Sequence, residues 1–122
     1  MSTLTEFLLA RIAEDEAASS RGGRHNAPGA FANDNYGCLL VDPARVLAEC
    51  EAKRQIVNHL ADAERGVARA ARLVEREGNG SRDAQEQEFA ADAKLDAVTC
   101  IAKHVAAIYA NHPDYDEDWQ PP

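Results

Sequence analysis

Gly78-Asn79-Gly80-Ser81 decides the fold predicted for this chain, because it separates two long segments that both follow a helical pattern. Glycine and asparagine tolerate the backbone conformations that stop a helix and reverse the chain. A linker this short makes the flanking helices lie antiparallel. The sequence therefore predicts a long helical hairpin folded about residues 78–81.

The segment before this turn predicts a helix over residues 43–77. Asp42 followed by Pro43 is a typical helix start, since aspartate caps the first turn and proline lacks an N–H that would be unpaired there anyway. Apolar residues then recur at steps of mostly three and four, which is the pattern of a coiled-coil-like seam. The seam consists of Val46, Cys50, Val57, Leu60, Val67, Ala71 and Val74, and it is interrupted by Lys53 and Glu64.

The segment after the turn predicts a helix over residues 83–110. Asp83 and Glu86 have the spacing of a capping pair. Asn111-His112-Pro113 ends the helical pattern. The predicted seam is formed by Ala91, Leu95, Val98, Ala102, Val105 and Tyr109, and it is flanked by Ile101 and Ile108.

A shorter helix is predicted over residues 3–18, where Thr3 and Glu6 have the spacing of a capping box. Glu14-Asp15-Glu16 crowds its last turn, although the helix dipole favours cations at that end. We therefore expect this end to fray or to meet a basic partner.

The remaining segments predict irregular structure. Residues 19–41 are rich in glycine, proline and asparagine and read as a long loop, and residues 111–122 read as a tail. Long loops without regular structure tend to be functional or disordered. We expect one all-α domain over residues 1–122, in which the short first helix packs on the hairpin to form a three-helix, coiled-coil-like arrangement.

Composition limits the classes of function. The formal charge of −8 in 122 residues opposes binding to nucleic acid or to an anionic membrane. The chain has neither an apolar run long enough to cross a bilayer nor the pattern of a secretory signal, so we expect a cytoplasmic protein. Cys38, Cys50 and Cys100 are odd in number and fit reduced thiols.

The predicted core is rich in alanine and poor in aromatic residues, which make up 6% of the chain. Apolar burial stabilises by roughly 25 cal/mol per Å², and alanine buries little area. The hairpin is therefore expected to be moderately stable unless a third helix or a second subunit covers it. A homo-oligomer is accordingly one of the arrangements we consider.

Four arginines fall on one face of the predicted second helix. The hairpin register places Arg65, Arg69, Arg72 and Arg76 opposite Glu86, Glu88 and Asp92. The favoured interpretation is a ladder of ion pairs between the two helices. The alternative is a nucleic-acid-binding face, which the acidic charge of the chain disfavours.

Two groups of residues could hold a metal ion. Glu88, Asp92 and Asp96 step by four along the third helix, which is one way that helical hydrolases of nucleotides arrange Mg²⁺ ligands. Cys100 and His104 could form half of a Zn²⁺ site. In both cases an ordinary solvated or packed helix face is favoured, so we expect no metal and no cofactor.

Common catalytic motifs do not occur in the chain. The sequence lacks a phosphate loop, a dinucleotide fingerprint, HExxH and GxSxG. A nucleophilic cysteine–histidine pair would need an orienting third residue and an oxyanion site, and no pattern marks either. Catalysis is therefore not the favoured function.

The tail combines acidic residues with Tyr115 and with Trp119, the only tryptophan of the chain. Two interpretations stay open. The aromatic side chains could fold back over the helix end, or they could form an exposed docking peptide, since aromatic anchors among charges are typical of interaction hot spots.

Three segments resemble an uncharacterised family of small proteins from actinobacteria and their phages. They are EFLLARIAEDE at residues 6–16, DPARVLAECEAKR at 42–54, and YANHPDY at 109–115 followed by Trp119. The resemblance implies an actinobacterial or phage origin and supplies no catalytic residues. It also suggests that the DPARVLAE helix start and the HPDY…W tail belong together.

The leading hypothesis is a small, phage-encoded accessory protein that binds another protein, for example a host protein, through a helical face, the loop or the tail. The candidate partner-binding residues are Phe31, Tyr36, His112, Asp114, Tyr115 and Trp119. Two alternatives stay open: a metal-dependent nucleotide hydrolase that uses Glu88, Asp92 and Asp96, and a self-associating structural module.

Overall fold

The computed structural model describes residues 2–21, 42–78 and 80–122. α2 and α3 pack closely against each other, and α1 packs on this pair, mostly on α2. The predicted all-α arrangement of a helical hairpin with a shorter helix on it is therefore confirmed. The elements are α1 (Leu4–Arg21), α2 (Pro43–Glu77), α3 (Arg82–Ala107) and a 3₁₀ turn at Glu117–Trp119.

α2 begins and ends at the residues that its capping signals predict. The Asp42 side chain accepts a hydrogen bond from the N–H of Ala44 at 3.0 Å. At the other end, Gly78 has a φ of 78°, and its N–H donates to the carbonyl of Val74 at 2.7 Å. This positive φ favours glycine because a Cβ would crowd the backbone there.

α3 begins one residue earlier than predicted and uses a different cap. Ser81 Oγ accepts a hydrogen bond from the N–H of Ala84 at 3.2 Å. Asp83 lies inside the first turn, so the predicted capping pair of Asp83 and Glu86 is wrong. Serine directly after a glycine turn satisfies the first N–H groups of the helix without Asp83.

α1 extends to Arg21, three residues beyond its predicted end. The acidic last turn meets basic side chains of α2: Asp15 lies 3.9 Å from Lys53, and Glu16 pairs with Arg54. Ser19 Oγ also donates a hydrogen bond to the carbonyl of Pro43 at 3.2 Å. These contacts support the extra turn. Of the two expectations for this helix end, fraying or pairing with a basic partner, the structure shows pairing with basic side chains of α2.

α3 ends at Ala107 rather than at residue 110. The next backbone bonds span three residues instead of four, as in the bond from the N–H of Tyr109 to the carbonyl of Ala106 at 2.9 Å. Such tight bonds turn the chain out of the helix early. The tail consequently starts its return toward α1 before His112.

α1 covers only one half of the hairpin. Thr5 reaches Glu64 with a hydrogen bond of 3.4 Å, and Ser19 reaches Pro43. In this half the hydrophobic core cluster consists of Phe7, Leu8 and Ile12 of α1, Cys50, Val57 and Leu60 of α2, and Ala102 and Ala106 of α3.

The half of the hairpin nearer the glycine turn has no described helix on it. Among the described residues there, the fully buried side chains are the alanines Ala70 and Ala84. The core is therefore thick where α1 packs and thin toward Gly78. None of the described helices has the length and apolar character needed to cross a membrane.

The predicted ladder of ion pairs between α2 and α3 is wrong. Within residues 42–78 and 80–122, Arg65 pairs with Asp62 of its own helix, and Arg82 pairs with Glu86 at 3.2 Å. No described ion pair joins Arg65, Arg69, Arg72 or Arg76 to Glu86, Glu88 or Asp92. All four arginines are solvent-exposed, since they lie on the outer side of α2.

Candidate functional site

The end of the hairpin that carries α1 and the tail holds a cluster of aromatic rings, which we call the aromatic cluster. Its centre is Phe7, which is almost completely buried. The Phe7 ring centroid lies 4.9 Å from that of Trp119 and 6.0 Å from that of Tyr115. The full cluster comprises Phe7, Tyr109, His112, Tyr115 and Trp119.

The tail is packed against α1 and does not extend as a free peptide. The N–H of Tyr115 donates to the carbonyl of His112 at 3.0 Å, which reverses the chain. Asp116 then caps the 3₁₀ turn by accepting a hydrogen bond from the N–H of Asp118 at 2.9 Å. Of the two interpretations of the tail, folding back over the helix end is confirmed.

Arg11 of α1 is buried beneath this tail, with 7% of the residue exposed. Nη2 donates to Glu14 at 2.9 Å, and Nη1 contacts the ring of His112 and lies 3.8 Å from Asp114. The guanidinium carbon also lies 5.2 Å from the centre of the Phe7 ring. Nε has no hydrogen-bond partner within the described residues. Arg11 therefore joins α1 to the tail through one guanidinium group.

His112 accepts hydrogen bonds at Nδ1. The N–H of Asp114 donates to this nitrogen at 3.0 Å, and Nη1 of Arg11 lies beside it. The backbone N–H of Asp114 can only donate, so Nδ1 accepts in this bond. Nη1 of Arg11 also contacts Nε2 of the same ring. His112 thus connects the backbone of the tail to Arg11.

A second polar junction connects all three helices. The hydroxyl of Tyr109 donates to Oδ2 of Asp15 at 2.6 Å and accepts a hydrogen bond from Nζ of Lys53 at 3.0 Å. Burial raises the pKa of Tyr109, and its hydrogen bond to Asp15 raises that pKa further. Lys53, which interrupts the apolar seam of α2 in the sequence, therefore has a structural partner.

Cys50 lies within the core next to this junction. Burial raises the pKa of its thiol, and the negative charge of Asp15 adds to the effect. The thiolate is the nucleophilic form of cysteine. A thiol held protonated in a packed core fits a structural role better than covalent catalysis.

The candidate metal ligands do not form a metal cage. Within the described parts of the chain, no three histidine, cysteine, aspartate or glutamate residues lie close enough together to hold a metal ion. Asp92, Asp96 and His104 are exposed, and Glu88 and Cys100 are partly buried. The hypothesis of a metal-dependent hydrolase therefore gains no ligand set from these residues.

α3 carries a second candidate site on the side that faces solvent. Phe89 is 78% exposed, Ile101 is 51% exposed and Ile108 is 65% exposed. Ala93 and Ala97, also exposed, lie between Phe89 and Ile101 at steps of four. Each step of four residues turns about 40° round a helix of 3.6 residues per turn, so these five form an apolar band over about 120° of the solvent-facing side of α3, which we call the outer face.

Sequence reasoning missed the outer face. It placed Ile101 and Ile108 at the flank of the seam, and the structure leaves both of these flanking residues exposed. Phe89 was not predicted as a site residue because it lies outside the apolar seam of α3. The regular step of four through Phe89, Ala93, Ala97 and Ile101 is the signal that marks a second apolar stripe.

Arginines cluster on α2 near the glycine turn, and acids cluster in the tail. Residues 65–82 contain five arginines and two glutamates, but the wider segment 62–88 contains five arginines and seven acids, a formal charge of −2. Residues 112–118 contain four acids and no lysine or arginine. Arg69, Arg72, Glu75 and Arg76 line an open groove of about 410 Å³.

An open groove of about 490 Å³ also lies at the acidic tail. It is lined by Ser2, Asp114, Tyr115, Asp116, Glu117, Asp118 and Trp119. Four of these side chains are carboxylates, so the groove presents negative charge around two aromatic rings.

The predicted partner-binding residues are thus partly brought together. His112, Tyr115 and Trp119 are half-buried in the aromatic cluster, and Asp114 is exposed beside them. Phe31 and Tyr36 lie outside the described residues. The part of these six residues in partner binding stays a prediction.

The three segments that carry the family resemblance meet in space. Phe7, Arg11 and Asp15 come from the first, Cys50 and Lys53 from the second, and the tail residues of the aromatic cluster from the third. The three segments therefore pack together around α1, and the suggestion that the DPARVLAE helix start and the HPDY…W tail belong together in the family stays a prediction.

Comparison with known proteins places the chain in a family. No curated protein and no solved structure is significantly similar to the chain. A family model described as "Family of unknown function (DUF6221)" matches residues 1–121. The match extends the resemblance from the two ends of the chain to the middle of the hairpin. The chain therefore belongs to this family of unknown function.

Proposed function

We propose that this protein is a small accessory protein that acts by binding another protein chain through the outer face of α3. The observation that carries the proposal is the exposure of Phe89, Ile101 and Ile108 on one side of one helix. Single exposed apolar residues are normal on protein surfaces, whereas a contiguous apolar surface marks an interaction site.

The outer face has the form of a helical recognition surface. Amphipathic helices present apolar anchors at steps of three, four and seven residues to a partner, and Ile101 and Ile108 are seven residues apart. Phe89 supplies an aromatic side chain of the kind that concentrates binding energy. The alanines between these anchors leave room for a partner to approach closely.

The remainder of the described chain supports this surface as a scaffold. The aromatic cluster, the Arg11 contacts and the Tyr109 junction attach the C-terminal end of α3 to α1 and α2. The terminal nitrogens of Arg11 and the hydroxyl of Tyr109 are occupied by contacts within the protein. This arrangement favours a binding role over a catalytic one.

Finer parts of the proposal concern origin, location and a second contact area. We propose an origin in actinobacteria or their phages, on the segments that carry the family resemblance, and a cytoplasmic location, on the reduced-thiol pattern of the cysteines. The acidic tail, including Asp114, is proposed to border the partner at the end of α3.

Photo-crosslinking in cells tests the proposal. A benzophenone amino acid is placed at Ile101, and a matched control carries it at His59, an exposed residue of α2. We expect a crosslinked protein product from position 101 and a much weaker one from position 59. Mass spectrometry identifies the product as a second copy or as a different protein.

Substitution completes the test. Phe89→Glu adds charge to the outer face, so it should remove the product formed from position 101. Asn58→Glu, an exposed change on α2, should leave that product unchanged. No product from position 101, or a product that Phe89→Glu does not affect, would contradict binding through the outer face.

A further inference from the structure

We infer that the partner segment bound by the outer face is a basic amphipathic helix of about 20 residues, with its lysine and arginine side chains along the edge that faces the tail of this chain. The inference rests on the proposed function, because it states the chemistry of the partner for the same surface. It is carried by the negative charge around the outer face and by the dimensions of that face.

Most of the negative charge of the chain lies on the segment that carries the outer face. Residues 82–122 contain nine acidic and three basic residues, a formal charge of −6 out of the −8 of the whole chain. Like charges across an interface repel each other, and opposite charges attract the partner. A nucleic acid, an anionic membrane or the same face of a second copy is therefore repelled, whereas a basic protein segment is attracted.

Two carboxylates beside Phe89 are available to pair with a partner. At about 100° per residue, Asp96 lies about 20° and Asp92 about 60° round α3 from Phe89, on the side away from Ile101. Both are exposed, and no ion pair joins either of them to another of the residues that the structure describes. Lys103 lies on the same side of α3 but is partly buried. This edge of the outer face is therefore negative.

The tail extends this negative edge along α3. The 3₁₀ turn Glu117–Trp119 packs on α3, and Gln120 and Pro122 line an open groove together with Asp96 and Cys100. Both acids of the turn are exposed, and neither has an ion pair within the described parts of the chain. Carboxylates of α3 and of the tail therefore border the same side of the outer face.

The dimensions of the outer face fit a helix that lies along it. Phe89 and Ile108 are 19 residues apart, which is about 29 Å along α3 at 1.5 Å per residue. A helix that packs on a protein buries an apolar stripe at least about 100° wide, and the outer face covers about 120°. The alanines at its middle let a second helix approach closely. The apolar residues of the partner therefore face this band, and its basic residues face Asp92, Asp96 and the tail.

Two matched peptides provide the first test. Both are labelled helical peptides of about 20 residues with the same leucine and alanine positions, and their flanking residues are lysine in one and glutamate in the other. Fluorescence anisotropy measures their binding to the full chain. We expect the lysine peptide to bind about tenfold or more tightly than the glutamate peptide, and to weaken as salt screens the exposed charges. Equal affinities, or binding of neither peptide, would overturn the inference.

Neutralised carboxylates test where the charge acts. Asp92→Asn combined with Asp96→Asn should weaken binding of the lysine peptide by about fivefold, which is in the range of two exposed ion pairs. Glu51→Gln combined with Glu75→Gln removes the same charge from exposed positions of α2 and should leave the affinity unchanged. Equal losses from the two pairs of substitutions would show a general attraction to an acidic protein and would overturn the inference.

A neutral change in the apolar band separates docking from attraction by charge alone. Phe89→Ser should weaken the lysine peptide by about tenfold, because it removes a large apolar anchor, and the helical circular dichroism should persist since the residue is 78% exposed. Leu47→Ser, at a residue of α2 that is 40% exposed, is the matched control and should bind like the wild type. A lysine peptide that binds Phe89→Ser as tightly as the wild type contradicts the inference.

The segment crosslinked to position 101 in cells separates the inference from the proposed function. A partner segment with an excess of lysine and arginine supports the inference. A segment without that excess, or a second copy of this chain, removes the basic helix and keeps protein binding through the outer face. A chain that captures nothing removes both.

Discussion

The hydroxyl oxygen of Tyr109 lies 2.6 Å from Oδ2 of Asp15, so the end of α3 is bonded directly to α1. Nζ of Lys53 donates to the same hydroxyl at 3.0 Å and brings α2 into the junction. One tyrosine oxygen thereby connects all three helices. Its removal should affect the whole fold more than its size suggests.

Tyr109→Phe should lower the free energy of unfolding by about 1–3 kcal/mol, because it leaves Asp15 and Lys53 partly buried without this partner. Urea unfolding followed by circular dichroism measures the change. Tyr115→Phe is the matched control, since no side-chain hydrogen bond of the Tyr115 hydroxyl is present among the described residues. Equal effects of the two substitutions would contradict the junction.

The same junction predicts a response to alkaline pH. The pKa of Tyr109 is raised in the folded protein, chiefly by burial and then by Asp15. Its contribution to stability is therefore complete below the ordinary tyrosine value of about 10, and it is lost as the pH rises from there through the folded value. The wild type should lose more stability than Tyr109→Phe between about pH 9 and pH 11; parallel losses would show that Tyr109 has no such role.

Two phenylalanines provide a test of which surface is core. Phe7→Ala removes a buried ring from the aromatic cluster and should destabilise the fold by about 3–5 kcal/mol. Phe89→Ala, measured where the protein is dilute, should change stability by less than about 0.5 kcal/mol because the residue is exposed. Comparable losses from both substitutions would mean that Phe89 is packed inside the monomer.

Trp119 reports on the docking of the tail. It is the only tryptophan in the chain, and its ring centroid lies 4.9 Å from that of Phe7. His112→Ala removes the contact with Arg11 and should shift the tryptophan emission to longer wavelength as the tail loosens. His59→Ala, on the exposed side of α2, should leave the emission unchanged. A shift of the same size there would argue against docking of the tail through His112 and Arg11.

Thiol reactivity separates the two described cysteines. Cys50 is buried with a raised pKa, whereas Cys100 is only partly buried. In a Cys38→Ser background, a thiol reagent at neutral pH should modify Cys100 first and reach Cys50 only when the protein is unfolded. A Cys100→Ser variant assigns the phases, and rapid labelling of its Cys50 would contradict the packing of the core.

Local signals predicted the hairpin well. Asp42-Pro43 and Gly78 act within a few residues of the helix ends, so the bounds of α2 could be read from the chain. The residues at which α1 and α3 end could not be predicted in this way, because contacts with residues distant in sequence determine them. Ser19 reaches Pro43, and the turns after Ala107 lead the tail to Phe7.

The candidate sites were harder to predict because side-chain partners across helices depend on rotation about each helix axis. The sequence shows that Ile101 and Ile108 are apolar, but it does not show how far each is turned away from α2 and therefore how exposed it is. Likewise, Arg11 offers no local sign that it will be buried under His112. The segments quoted for the family resemblance did contain the residues of this contact.

The solvent exposure of Phe89 in the assembled protein tests the central claim most directly. 4-Fluorophenylalanine placed only at position 89 gives one ¹⁹F signal, whose shift between H₂O and D₂O measures contact with solvent. In cell extract, we predict that the signal moves, broadens and loses this solvent shift, because a bound protein partner covers the ring. A sharp signal that stays fully solvent-exposed at every concentration, and also in cell extract, would contradict the outer face as a binding surface.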